Sequence, residues 1–162
     1  MAHYINPNGC SGTPQGNERR VVEMGYDKTE RAILTIARLY FLTFSDPCSH
    51  AWMRAAELAR TSFDEPRATY IAACVLQSVN ELRAARSSAF EFSNPECPGC
   101  SLVLCESERQ YMGALTATRL GRKSAAHASA MLLCEGGDSA PLLATLGDLN
   151  ELLTSAQTRA DA

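Results

Sequence analysis

From Asp27 to about Gln157 the apolar residues recur at three- and four-residue spacing, and no stretch of strand length alternates apolar with polar. A chain patterned this way buries stripes on helices rather than one face of a sheet. The expectation is an all-α fold, a compact bundle of about six helices with a cysteine-rich loop before the fourth. At 162 residues the length corresponds to one domain. A domain of that size buries about 68–70% of its unfolded surface, so its core suffices without disulfide staples.

Local signals divide the pattern. Asp27 and Glu30 make a capping-box pair opening a first helix that runs to Phe44. Ile33, Leu34, Ile36, Ala37, Leu39, Tyr40, Phe41, Leu42 and Phe44 cover most of its circumference, which suits the centre of a bundle. Asp46 followed by Pro47 signals the start of a second helix, on which Trp52, Ala56, Ala59 and Phe63 form the expected inward stripe. A third helix follows Pro66, turns Ala68, Ile71, Ala72, Val75, Val79 and Leu82 inward, and ends near Ser87 and Ser88. The fourth begins at Ser101 or slightly later and reaches Leu120, with Gly121 suited to the left-handed position beyond its end. The fifth covers Lys123 to Glu135, closed by Gly136 and Gly137, and the sixth carries Leu142, Leu146, Leu149 and Leu153. Residues 1–20, rich in proline and glycine, read as a disordered tail, residues 21–157 as a single helical domain, and residues 158–162 as a frayed end. Phe90-Glu91-Phe92 is expected to pair locally at most.

Charge and motifs narrow the function. A net charge of −3 disfavours a generic binder of phosphate backbones. The most apolar run, Ala32–Phe44, contains Arg38 and falls short of the roughly 20 residues that span a bilayer. With no basic start or apolar leader at the N-terminus, the expectation is a soluble, cytoplasmic protein. No phosphate-binding glycine loop, nucleophile elbow or H-E-x-x-H run is present, so a non-enzymatic role is expected. Glu106 and Glu108 read as first-turn charges that complement the helix dipole rather than as an acid/base pair.

The feature with chemical content is the cluster Cys97-Pro98-Gly99-Cys100, followed by Cys105, three of the seven cysteines within nine residues. A tight C-x-x-C turn can aim two thiolates at one ion about 2.3 Å away. Cys105, in the first turn of the fourth helix, gains from the dipole as a thiolate. Three soft ligands point to one structural zinc, with Cys48 as the expected fourth ligand because an inward phase carries it toward the loop. His50, His127 and Cys134 are the other candidates for that position. Cys10 and His3 lie on the tail and are poor ligands for a preorganised site.

Together these features give a zinc-stabilised regulatory or adaptor protein acting through protein–protein contacts, with a homodimer compatible. One alternative is a DNA-binding regulator using a helix-turn-helix-like unit near 114–133, where Ala117 and Gly121 have the spacing and Arg119, Arg122 and Lys123 the charge. His127 stands where that unit wants an apolar residue, and two closely packed antiparallel helices account for the small residues equally well. Another alternative is a thiol-based redox sensor using Cys97 and Cys100.

Overall fold

The structure, a computed structural model, describes residues 2–4 and 12–154. Six α-helices form among them: α1 Lys28–Ser45, α2 Ala51–Ser62, α3 Arg67–Ala85, α4 Glu106–Arg119, α5 Lys123–Leu133 and α6 Ala140–Thr154. The fold is the expected all-α bundle. None of its helices is long and apolar enough to cross a membrane.

The helix ends follow their local chemistry. The Asp27 carboxylate accepts the Glu30 amide at 2.7 Å while the Glu30 carboxylate accepts the Asp27 amide at 3.1 Å, so the capping box opening α1 is complete. Beyond α4, Gly121 takes a φ of 66°, and the amides of Gly121 and Arg122 bond back to Thr118 and Ala117. That is the two-bond termination glycine permits at low cost. α4 and α5 then run side by side in antiparallel fashion. Gly113 faces Ser129, eight residues on either side of Gly121, and a Cβ at position 113 would meet the Ser129 hydroxyl at 3.1 Å.

α1 sits at the centre, packed on α2, α3 and α4. Ile33, Leu34, Ile36, Ala37, Leu39, Tyr40, Phe41 and Leu42 are all buried, as an all-round apolar helix requires. All six predicted inward residues of α3, and Leu142, Leu146 and Leu149 of α6, join the same core. Inside it Tyr111 and Ser78 share a 2.7 Å hydroxyl bond, and Ser78 donates its proton to the Val75 carbonyl. The tyrosine hydroxyl is therefore the donor to Ser78.

Two features depart from expectation. Asp46-Pro47 starts not α2 but a 3-10 turn over Pro47–Ser49, and His50 follows at φ 53° before α2 begins. The left-handed residue resets the helix phase. Ala51, Ala55 and Ala59 face α1, and the expected Trp52, Ala56, Phe63 stripe does not: Trp52 and Ala56 are exposed, and Phe63 is half-buried. Two short strands also pair ahead of α1 among the described residues. Ala2–Tyr4 (β1) pairs in parallel with Phe90–Phe92 (β3), and Arg19–Arg20 (β2) pairs antiparallel with Val103–Leu104 (β4). His3 is opposite Glu91 in the first of these ladders. Cys10 and residues 158–162 lie outside the described residues.

Candidate functional site

The segment from Arg86 to Cys105 joins α3 to α4 and carries the cysteine cluster. Its first part follows from the Phe-Glu-Phe alternation: Phe90 and Phe92 are buried while Glu91 is exposed. Phe41 of α1 stacks on Phe90 at 4.1 Å between ring centroids and on Phe92 at 5.8 Å. Aromatic pairing of this kind adds about 0.5–1.5 kcal/mol beyond the area it buries.

The second part is held by a buried ion pair that local sequence reading missed. Arg38 of α1 and Glu108 of α4 are each 2% exposed. Arg38 Nε donates to Glu108 Oε1 at 2.6 Å and Nη2 to Oε2 at 2.9 Å. The same guanidinium donates to the carbonyls of Val103 at 2.6 Å and Ser101 at 2.9 Å. Glu108 in turn accepts the amides of Ser93 and Cys105, both at 3.0 Å, and the Ser93 hydroxyl at 3.2 Å. Two charges taken out of water are tolerated only when most of their remaining donors and acceptors are filled, and this network fills all but one N–H of Arg38, chiefly with loop backbone. Glu108 therefore does more than complement a dipole. It fastens the loop at Ser93 and Cys105, while Arg38 fastens it at Ser101 and Val103.

The predicted metal ligands do not converge. Cys105 is the buried N-cap of α4, and its thiol donates to the Glu91 carbonyl at 3.1 Å. Burial and the Glu108 carboxylate push that thiol well above the ordinary range, the reverse of the thiolate expected at a helix start. Cys48 is exposed on the 3-10 turn rather than inward, because the helical phase that would have turned it in is absent there. His50 and His127 are exposed, and Cys134 is buried at the end of α5 with its thiol raised by burial. Cys97 and Cys100 do form a tight turn, in which the Cys100 amide donates to Cys97 Sγ at 3.5 Å. Among the described residues no three His, Cys, Asp or Glu side chains are grouped as a metal ion needs. Among the described residues, therefore, the predicted ligands do not assemble the four-donor set that a structural zinc takes.

The α4–α5 unit is likewise built for packing. Arg119, offered above as a phosphate contact, bonds Asp27, the N-cap of α1, and Glu30 in its first turn, each at 2.9 Å. The Gly113–Ser129 approach requires helices lying alongside each other, whereas the second helix of a helix-turn-helix diverges from the first at about 90–120°.

The phase reset in α2 creates a surface that sequence reading had placed in the core. Trp52, 51% exposed, and Met53, 56% exposed, stand on α2 above a groove of about 570 Å³ shared with α3. Its floor is Tyr40, Ala68 and Ala72, and Ala56, Ala73 and Leu76 complete the apolar walls. Glu57, Arg60 and Glu65 line it as well, and Glu57 and Arg60 are bonded to each other at 2.7 Å. Among the described residues Glu65 has no ion-pair partner. The floor is made largely of alanine, so an incoming backbone can approach closely.

No family model matches the chain, and no curated protein or solved structure is found to be similar to it.

Proposed function

We propose that the protein is a non-enzymatic adaptor that seats an amphipathic helix of a partner protein in the α2–α3 groove. The observation that carries this reading is the half-exposed Trp52, the one tryptophan of the chain, standing beside exposed Met53. Tryptophan and methionine are enriched where proteins meet, and a tryptophan anchor in a shallow apolar site commonly dominates binding. A helix laid in the groove would set apolar residues at i, i+3 and i+4 against Trp52, Met53 and Leu76. The unpaired Glu65 favours a lysine or arginine on that helix. The cysteine loop needs no metal in this reading, because Arg38, Glu108 and the Phe41 stack already hold it.

The experiment is a fluorescence titration with a leucine- and lysine-patterned helical peptide, read on Trp52, with sedimentation equilibrium of the protein alone in parallel. The expected result is a saturable blue shift that Ala73→Glu abolishes. Absence of the shift overturns the reading. Self-association that buries Trp52 would also overturn it, giving the groove to a second copy of the chain.

A further inference from the structure

On another side of the molecule, a cleft of about 420 Å³ opens between α1, the cysteine loop and the segment that includes β2. That volume is in the range of small-molecule sites, about 300–1,000 Å³. Its lining combines Arg20, Arg31 and Arg38 with Val22, Leu34 and Leu102, and no acidic side chain contributes. Seven arginines of the described residues are held by carboxylates, namely Arg38, Arg54, Arg60, Arg67, Arg86, Arg109 and Arg119. Arg20 and Arg31 are exposed and belong to none of these pairs. Two unneutralised guanidinium groups therefore share one concave site with apolar walls. Leu102 and Val22, 59% and 77% exposed, leave those walls uncovered.

Arg38 adds a third contact from within. An arginine carries five N–H groups. Four bonds engage Arg38: two to Glu108, one to Val103 and one from Nη1 to Ser101. The remaining Nη1 N–H belongs to a side chain that lines the cleft and is itself locked in place. A site that offers a planar donor group on a fixed base, two exposed arginines and aliphatic walls is complementary to one chemistry.

We propose that this cleft binds a small amphipathic anion, a carboxylate or phosphate group on a short apolar body. The head group bonds to Arg20, Arg31 and the spare Arg38 N–H, and the apolar body covers Val22, Leu34 and Leu102. The site is separate from the α2–α3 groove and stands or falls without it.

Calorimetric titration of the full chain with octanoate and octyl phosphate tests the proposal, with octanol and octylammonium as neutral and cationic counterparts. The expected result is one-to-one saturable binding of both anions, about tenfold or more tighter than octanol, since charge-assisted bonds from arginine are the discriminating contacts. The paired substitution Arg20→Gln with Arg31→Gln should weaken both anions by about tenfold or more while leaving the fold intact, because both side chains are exposed. Leu102→Asn should weaken octanoate more than acetate, separating the apolar wall from the head-group contacts. Equal binding of octanol, no saturable binding in the millimolar range, or unchanged affinity in the double arginine variant would each overturn the proposal. Binding to anionic vesicles without binding of the monomeric anions would overturn it too, because the arginines would then serve a membrane surface.

Discussion

Replacing Glu108 by glutamine keeps the side chain's size and removes its charge, which isolates what the buried ion pair does. In the variant the Arg38 cation stays 2% exposed with only the Ser101 and Val103 carbonyls as firm acceptors. The glutamine oxygen can satisfy one of the Ser93 and Cys105 amides, and its NH2 group opposes the guanidinium. Breaking a buried pair from one side costs about 3–5 kcal/mol. For a protein of this size each kcal/mol moves the melting temperature by about 2–4 °C, so the fall should be about 6–20 °C. Urea unfolding followed by far-UV circular dichroism measures the same loss as a lower midpoint at unchanged slope. Arg38→Met should cost less than Glu108→Gln, because Glu108 retains two amides and a hydroxyl as donors. The double variant should not return to wild-type stability. It still orphans one of the two buried amides, Ser93 or Cys105, at a cost of about 1–3 kcal/mol when unsatisfied. A loss under about 1 kcal/mol for Glu108→Gln, or full recovery in the double variant, would refute the claim that this network holds the loop.

Other outcomes follow from single features. Ser78→Ala, which strands the buried Tyr111 hydroxyl, should lose about 1–3 kcal/mol and exceed the cost of Tyr111→Phe, measured by the same unfolding curves. Gly113→Val should cost about 1–3 kcal/mol by forcing α4 from α5, with Gly113→Ala milder because only the Ser129 hydroxyl must turn aside. Glu135, held by the hydroxyls and amides of Ser88 and Ser87, has its carboxyl lowered to about 2. A lowered folded-state value means that its stabilisation is complete above the ordinary carboxylate range and is lost as pH falls toward 2, so Glu135→Gln should flatten the acid limb of a pH–stability profile in that window. Treatment with a chelator should leave the melting temperature unchanged; a marked drop would restore a structural metal to the cysteine loop.

The parts of this fold that could be read from the chain are those whose causes are local. The Asp27–Glu30 capping box, the Gly121 termination and the inward face of α3 each depend on residues within about one turn of one another. α2 was misphased because Asp46-Pro47 is an equally good opening for a 3-10 turn, and nothing within a few residues announces that His50 adopts a left-handed conformation. The one-residue shift that follows turned a presumed core tryptophan into the candidate docking residue. The ion pair was out of reach for another reason. Arg38 and Glu108 are separated by 70 positions, and each has an innocent local role, one as an interruption of an apolar run and the other as a helix-start acid. The available signal was that an arginine inside a helix apolar on every side must find a carboxylate. The cysteine spacing was visible, but spacing does not say where a thiol points, and Cys105 donates to Glu91.

The tie between the loop and the bundle has a kinetic side. Because Arg38 and Glu108 bond the backbone at Ser93, Ser101, Val103 and Cys105, the loop cannot lift away without stripping two buried charges of their partners. The loop is therefore expected to open with the bundle rather than ahead of it, and its amides to exchange among the slowest of the protein. The cysteines of the protein keep time accordingly. Exposed Cys48 should react with a thiol reagent at once, whereas Cys105 becomes accessible only when the bundle itself comes apart, which makes its labelling rate a clock for global unfolding.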